Sequence, residues 1–173
     1  VGCLVGSDAA ADAEDDPFNA GLALYNGRIW HGFQYTDPSR ELEPSTYYVS
    51  GTGAALAVQE NPRAGQGLRV AVIGLGSGSM SAHATKGDTF RFYDIDPKVL
   101  KVATENFTYL KKIPAARDGK VEVVMGDARL SLEREPDQNY DVIHLDAFSG
   151  DAIPAHLLTD ESFALYQRHL RKD

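Results

Sequence analysis

The residues best suited to chemistry in this sequence of 173 residues are a glycine-rich run and three aspartates that follow it along the chain. The run, Gly74–Ser79, comes directly after the apolar segment 70–73. Glycines at such a point let the backbone turn sharply and bring bare N–H groups against a ligand. The aspartates Asp94, Asp127 and Asp146 each follow a further apolar segment. This pattern predicts a binding loop ringed by carboxylates, although glycines that serve turn geometry alone are the alternative.

Asp94 indicates what the loop would bind. It lies twenty positions after Gly74, at the end of the next predicted strand, where a carboxylate can accept hydrogen bonds from both ribose hydroxyls. The dinucleotide fingerprint G-x-G-x-x-G/A would need its third glycine at Ser79, whereas the glycines here stand at 74, 76 and 78. Since no basic side chain lies nearby to hold a pyrophosphate, the spacing favours a nucleoside without phosphates.

Asp127 and Asp146 are expected to complete the site. Asp127 can accept the exocyclic amine of adenine or cap a helix over Ala128–Glu135, and one aspartate can serve both roles. Asp146 ends the fourth predicted strand and would point into the crevice outside the carboxyl ends of the strands, where ligands of open α/β sheets bind. Its alternative role is to accept hydrogen bonds from loop amides.

The elements that must position these residues alternate between apolar strands and amphipathic helices, which predicts an α/β fold with a parallel sheet and helices on both faces. Asp96 and Pro97 begin one helix, with apolar residues at 99, 100, 103, 107 and 110, and another begins near Thr159. The fourth strand would form an exposed edge, so we expect further C-terminal strands or a covering partner. The predicted strands are Leu68–Ile73, Thr89–Tyr93, Val121–Met125 and Tyr140–Leu145.

The N-terminal part divides into a leader, residues 1–16, and a small unit, residues 17–67, in front of the nucleoside-binding domain, residues 68–173. The acidic, small-residue leader is expected to be disordered. Asn26-Gly27 predicts a β-hairpin, followed by a strand over Ser45–Val49 and a helix over Gly53–Gln59. This unit is expected to pack over the mouth of the site.

Composition excludes several classes of function. A net charge of −8, five of whose negatives lie in the leader, does not attract phosphate backbones, so a nucleic-acid partner is not expected. The single cysteine, Cys3, excludes an internal disulfide, and the five histidines show no metal-ligand spacing, so we assign no metal. Ser77 and Ser79 lack a base partner, so a hydrolase triad is not supported. Val1-Gly2-Cys3 is compatible with a lipoprotein processing site or with the end of a membrane segment.

Taken together, the motifs resemble the spermidine synthase family, above all its bacterial branch fused to membrane-transporter segments. The likeness rests on Gly74–Ser79, Tyr93–Pro97, Gly126–Arg129 and Tyr140–Thr159, of which the run Asp146–Thr159 is the most specific part. His31–Gln34 and the Tyr47-Tyr48 pair extend it upstream. It implies a Rossmann-like, class I S-adenosylmethionine-dependent methyltransferase fold that binds decarboxylated S-adenosylmethionine without a metal. An amine would attack the methylene beside the sulfonium to make a polyamine. A cytoplasmic location, next to a membrane segment of the longer protein, and a homodimer are further expectations.

The resemblance also implies roles for individual residues. Asp94 would hold the ribose, Asp127 the adenine, and Asp146 would orient the attacking amine or accept its proton, because an ammonium group is not a nucleophile. The acceptor side would be lined by Gln34, Tyr47 and Asp151. The residues expected to bind the donor are Gly74, Gly76, Ser77, Gly78, Asp94, Asp127 and Ala128.

Two departures from the family pattern keep other functions open. Ser77 stands where the family usually has an aspartate that pairs with the donor's amine, and Val49 stands where a glutamate is expected. Without these acids the pocket would suit intact S-adenosylmethionine or a different acceptor, and Asp151 would restore one negative charge. An S-adenosylmethionine-dependent methyltransferase and a non-catalytic nucleoside-binding domain therefore remain the alternatives.

Overall fold

A computed structural model of the chain describes residues 3–8, 20–26, 29–148 and 152–172. Its N-terminal part is a three-stranded antiparallel sheet in the order β1-β2-β3, formed by β1 (Cys3–Asp8), β2 (Gly21–Asn26) and β3 (Ile29–Tyr35). The β2–β3 pair confirms the predicted hairpin, while residues 27–28 of its turn lie outside the described residues.

Strand β1 differs from the expectation of disorder for residues 3–8 of the leader, while residues 1–2 and 9–16 lie outside the described residues. Residues 3–8 pair with β2 along its whole length, from Cys3 opposite Asn26 to Asp8 opposite Gly21. The free edge of a hairpin offers a row of backbone donors and acceptors, and a strand can occupy it without burying a large apolar side chain. Low hydrophobicity therefore did not prevent this part of the leader from adopting regular structure.

The second sheet is parallel and confirms the predicted α/β architecture. The strand order is β6-β5-β4-β7. From β4 the chain first adds β5 and β6 on one side of the sheet and then adds β7 on the other side of β4. Ligands of open α/β sheets bind at such a switch point, outside the carboxyl ends of the strands. The strands are β4 (Arg69–Ile73), β5 (Thr89–Asp94), β6 (Lys120–Met125) and β7 (Val142–Leu145).

Helices cover both faces of this sheet because successive side chains of a strand point to opposite faces, and each face carries its own set of buried side chains. Val70 and Val72 face a core that also holds residues of α1, α2 and α3, whereas Ala71 and Ile73 face a core with residues of α4 and α5. Each face of the central strand β4 is therefore covered by helices, as a parallel sheet requires. The helices are α1 (Gly53–Gln59), α2 (Pro97–Glu105), α3 (Tyr109–Arg117), α4 (Ala128–Arg134) and α5 (Asp160–His169).

Two local predictions are wrong. The segment predicted as a strand over Ser45–Val49 contains a 3₁₀ turn at Thr46–Tyr48, and Thr46 has a φ of 55°, which an extended strand excludes. The helix that begins at Pro97 ends at Glu105, and Phe107 and Leu110 belong to a loop and to α3. Helical spacing continued across the break because both helices bury residues in the same core.

The edges of the described sheet are β6 and β7. The prediction that β7 forms an edge agrees with this order, and the expected further strands stay a prediction. Among the helices of the described residues, none combines the length and the apolar character that a bilayer span needs.

Candidate functional site

A cavity of about 460 Å³ opens at the carboxyl ends of the four parallel strands. Each strand contributes to it, through Ile73 of β4, Asp94 of β5, Gly126 after β6 and Asp146 after β7. The predicted site residues that line it are Gly74, Gly76, Asp94, Asp127, Ala128, Asp146 and Tyr47. The structure thus brings the three aspartates, separated by up to 52 positions in the sequence, into one cleft.

The glycine loop needs its glycines because other backbone segments press against it. A Cβ on Gly74, whose φ is +106°, would lie 2.4 Å from the carbonyl oxygen of Asp146. A Cβ on Gly76, whose φ is +53°, would lie 2.8 Å from the carbonyl oxygen of His31. The loop is therefore fixed between the end of β7 and strand β3, and it continues into a 3₁₀ turn at Ser79–His83 instead of an α-helix.

Asp94 ties the loop to the neighbouring strand. One carboxylate oxygen accepts a hydrogen bond from the N–H of Leu75 at 2.8 Å, and the other accepts one from the N–H of Asp96 at 2.8 Å. Burial raises the pKa of Asp94, and these two N–H groups oppose the rise. Since each carboxylate oxygen can accept a second hydrogen bond, both remain able to receive a pair of hydroxyls from the cavity.

Asp127 carries out the capping role and lines the cavity as well. Its Oδ1 accepts a hydrogen bond from the N–H of Leu130 at 2.9 Å, which caps α4, and its Oδ2 lies 2.7 Å from Nε2 of His156. Partial burial works against ionisation, yet the hydrogen bonds from Leu130 and His156 outweigh it and lower the pKa of Asp127. The group is therefore an ionised acceptor at neutral pH.

Asp146 is held by residues from the other end of the chain. Its Oδ2 accepts hydrogen bonds from the hydroxyls of Tyr48 and of Tyr47, the latter at 3.2 Å. Burial raises the pKa of Asp146, and the Tyr48 hydroxyl and the nearby His144 oppose the rise. Burial and the Asp146 charge also raise the pKa of both tyrosines, so each stays a neutral donor. The second carboxylate oxygen of Asp146, Oδ1, accepts a hydrogen bond from neither tyrosine hydroxyl.

Two histidines lie within electrostatic reach of Asp146. Burial lowers the pKa of His144 and of His31, and the Asp146 charge partly opposes both shifts. His144 packs edge-on against the Tyr48 ring at a centroid distance of 5.7 Å, whereas His31 lines the cavity beside Phe148. The Nε2 atom of His31 is buried and has no hydrogen-bond partner among the described residues.

Three predicted residues do not line the cavity. Gln34 is buried, its amide donates to the carbonyl of Glu41 and to the Thr108 hydroxyl, and it accepts a hydrogen bond from the Thr108 N–H. Ser77 is buried against β3, where a Cβ on Gly32 would lie 2.3 Å from its Oγ. Gly78 packs on α3. Asp151 lies outside the described residues.

The structure adds His31, Tyr48 and His156 to the site. Tyr48 and His31 both stand within segments that carry the family resemblance, so the sequence pointed to these two residues but assigned them no role. His156 also stands in such a segment, but its pairing with Asp127, 29 positions earlier in the sequence, carried no local signal. Within the described ranges, no group of three or more His, Cys, Asp or Glu side chains could hold a metal ion.

Comparison with known proteins finds similarity in sequence and in fold. No family model matches the chain. Over 119 residues, 66% of the chain, the sequence is 36% identical to a polyamine aminopropyltransferase of Vibrio vulnificus (strain CMCP6), and it spans 36% of that protein's length. The sequence relationship thus covers most of the chain but only about a third of the relative.

Solved structures share the fold. A probable spermidine synthase from Corynebacterium glutamicum ATCC 13032 has a TM-score of 0.69 at 19% identity, with 97% of this chain and 57% of that chain covered. The spermidine synthase from Thermotoga maritima has a TM-score of 0.59 at 19% identity, with 88% and 47% covered. The architecture of this chain is therefore the one found in these proteins.

Proposed function

Because the chain is related to the spermidine synthase family, we propose that its cleft transfers an aminopropyl group from decarboxylated S-adenosylmethionine to an amine. The observation that carries the proposal is the single cavity into which the glycine loop, Asp94, Asp127 and Asp146 all open. The relative named above is a polyamine aminopropyltransferase, which supports an aminopropyl group as the group transferred and a polyamine-type amine as the acceptor. The product would be a polyamine.

The nucleoside half of the cleft, defined by Gly74, Gly76, Asp94 and Asp127, would hold the donor. The free acceptor capacity of Asp94 suits the two ribose hydroxyls, and the ionised Asp127 suits the exocyclic amine of adenine. Ile95, which is 70% exposed and lines the cavity, offers an apolar contact for the base. The fit needs no phosphate-binding group.

The amine half, defined by His31, Tyr47, Tyr48 and Asp146, would hold the acceptor. Asp146 attracts the cationic amine, and the two phenols fix the carboxylate so that Oδ1 is presented to it. The amine nitrogen forms a bond to the methylene beside the sulfonium, the carbon–sulfur bond breaks, and the sulfonium leaves as a neutral thioether. The nitrogen must lose a proton to provide its electron pair, so a base must lie beside it.

The charge of the cavity favours the decarboxylated donor over the intact one. Four aspartates line it, Asp94, Asp96, Asp127 and Asp146, and the described residues around it include no Lys or Arg. The carboxylate of intact S-adenosylmethionine would therefore meet negative charge without a cationic partner, whereas the aminopropyl ammonium would be attracted.

Ser77 supports a second candidate, methyl transfer from S-adenosylmethionine. Its side chain is buried against Gly32 and does not line the cavity, so this loop position contributes no acid for the amine of a decarboxylated donor. Under this candidate the acceptor amine would receive a methyl group at the same place beside Asp146.

The two candidates separate in one assay. The purified protein is incubated with each donor and a panel of linear amines and diamines, and the products are identified by mass spectrometry. Aminopropyl products, together with calorimetric binding of the decarboxylated donor at least about tenfold tighter than the intact one, support the proposal. Methylated amines would replace it with the second candidate, and binding without turnover over the whole panel would indicate a nucleoside-binding domain.

A further inference from the structure

We infer that His156 sets the base specificity of the nucleoside half, because its ring N–H holds the Asp127 carboxylate in place as an acceptor for the exocyclic amine of adenine. This inference rests on the proposed function and names a positioning residue within the same cleft. The ligand that the pair selects is a nucleoside whose base presents an amino group to Asp127. A base with a carbonyl oxygen at that position is rejected.

The first support is the direct contact between the two side chains. Nε2 of His156 lies 2.7 Å from Oδ2 of Asp127, and both residues line the cavity. An ionised carboxylate can only accept hydrogen bonds, so Nε2 carries a proton and donates it, whatever the state of the other ring nitrogen. The contact therefore has a defined polarity, and this N–H is not available to a carbonyl oxygen of a bound base.

The second support is that the two carboxylate oxygens of Asp127 are held by different elements. Oδ1 accepts a hydrogen bond from the N–H of Leu130 at 2.9 Å, in the first turn of α4, and Oδ2 accepts one from His156. A single hydrogen bond would let the carboxylate rotate, whereas one on each oxygen fixes its plane. A carboxylate offers about four acceptor positions, so the fixed group keeps capacity for a donor from the cavity.

The third support is that this carboxylate is ionised and accessible. The Asp127 side chain is 19% exposed, and that of His156 is 50% exposed. Partial burial opposes the ionisation of Asp127, but the hydrogen bonds from Leu130 and His156 outweigh it and lower the pKa of the carboxyl group. An ionised acceptor attracts the amino hydrogens of adenine and repels a carbonyl oxygen at the same position.

The fourth support is the anchoring of the segment that carries His156. Its backbone carbonyl accepts hydrogen bonds from the Ser162 hydroxyl at 2.6 Å and from the Arg129 side chain at 3.2 Å, which tie the segment to α5 and α4. The next residue, Leu157, is buried, and its carbonyl accepts a hydrogen bond from the Tyr166 hydroxyl at 3.0 Å. The imidazole therefore projects from a fixed backbone, as a specificity-determining contact requires.

The test compares calorimetric binding of 5′-deoxy-5′-methylthioadenosine with that of its inosine counterpart, which has a carbonyl oxygen in place of the amino group. Because a hydrogen bond to a charged group is lost with the second ligand, the wild type should prefer the first by roughly 10–150-fold. His156→Ala should reduce this preference by about fivefold or more, since the carboxylate is then free to turn. His156→Gln, which keeps an N–H donor near the position of Nε2, should retain the preference within about twofold.

A double-mutant cycle tests whether His156 acts through Asp127. Asp127→Asn keeps a good cap for α4 but introduces an amide that can donate to a base carbonyl, so it should lose most of the preference. Adding His156→Ala to Asp127→Asn should then change the ratio of the two affinities by less than about twofold. An equally large effect of His156→Ala in both backgrounds would mean that His156 contacts the base itself, which would overturn the inference.

The outcomes separate this inference from the function on which it rests. If the wild type binds neither nucleoside, the proposed function fails and the inference fails with it. If the wild type prefers the adenine nucleoside and His156→Ala keeps the preference within twofold, the function stands and His156 does not set base specificity. Equal losses of affinity for both nucleosides in His156→Ala would also overturn the inference, since they would indicate a loss of shape. A wild type that binds both nucleosides equally well would show that Asp127 does not distinguish the bases, and the inference would be wrong.

Discussion

The two halves of the cleft are built in different ways. In the nucleoside half, the carboxylate of Asp94 is fixed by N–H groups two and nineteen positions away, and that of Asp127 by an N–H three positions away and by His156, 29 positions later. In the amine half, Asp146 is held by phenols 98 and 99 positions earlier in the chain. The proposed donor site is thus built within the parallel-sheet unit, whereas the proposed acceptor site forms only when the N-terminal unit docks on that sheet.

This difference has a functional consequence. A nucleoside site whose holding groups all belong to the parallel sheet and its connections is preorganised as soon as that unit forms. The acceptor site depends on the segment 31–48, so changes in that segment can alter the amine that is accepted without disturbing the donor. Variants should therefore divide into those that change donor affinity and those that change turnover.

Asp146→Asn should have the largest effect, which should fall on the amine half and leave donor affinity unchanged. The amide removes the charge that attracts and orients the amine, so kcat should drop by about 10²–10⁴-fold. Donor affinity, measured by calorimetry, should stay within about threefold of the wild type, because Asp94 and Asp127 are untouched. A matching loss of donor affinity would show that the two halves are not separate.

Asp94→Ala should have the next largest effect and should fall on donor affinity. The variant loses the acceptor for the ribose and releases the N–H groups of Leu75 and Asp96. Hydrogen bonds to charged groups contribute about 1.5–3 kcal/mol, so the dissociation constant of the donor should rise by roughly 10–150-fold. Asp94→Asn keeps one oxygen acceptor, so its donor affinity should lie between those of the wild type and Asp94→Ala. Equal donor affinity in all three proteins would refute the ribose assignment.

Tyr48→Phe should shift the pH dependence of the amine half. The Tyr48 hydroxyl lowers the pKa of Asp146 against the effect of burial, so its removal should raise that pKa further. Because Asp146 must be ionised to attract the amine, the acid limb of kcat/KM should move to higher pH by about 1–2 units. The Tyr47 side chain is 41% exposed and its hydrogen bond to Asp146 is longer, so Tyr47→Phe should shift the acid limb by less. An unmoved limb in Tyr48→Phe would contradict the arrangement.

Gln34→Ala should separate docking from substrate contact. The variant leaves the Thr108 N–H and the Glu41 carbonyl without their partner inside the protein, which should lower the free energy of unfolding by about 1–3 kcal/mol. The KM of the amine should not change. Gln66→Ala, at an exposed glutamine, should change stability by no more than about 0.5 kcal/mol. A raised KM with unchanged stability would restore Gln34 to the acceptor site.

The sequence predicted most of the fold because its signals are local. An apolar strand followed by glycines, an aspartate and proline at a helix start, and an Asn-Gly turn each act within a few residues. The same locality explains why Asp94, Asp127 and Asp146 were found, since each directly follows an apolar strand. Parallel strands then bring their carboxyl ends to one edge of the sheet, so the three acids converge.

What the sequence missed depends on contacts across the chain. The positive φ of Thr46 and the turn around it are set by docking, which puts the Tyr48 hydroxyl on Asp146. In the sequence, Gln34 is a polar residue near the predicted acceptor site, and only the structure shows that its side chain hydrogen-bonds to Thr108. The proximity of His31 to Asp146 and of His156 to Asp127 leaves no periodicity or spacing in the sequence.

The most direct test is a crystal structure of the protein with 5′-deoxy-5′-methylthioadenosine, the nucleoside product of the proposed transfer. The account predicts both ribose hydroxyls within hydrogen-bond distance of the Asp94 carboxylate, the adenine amine near Asp127, and the sulfur directed towards Asp146 and His31. A nucleoside bound outside this cavity, or one turned so that its sulfur faces Asp127, would contradict the assignment of the two halves.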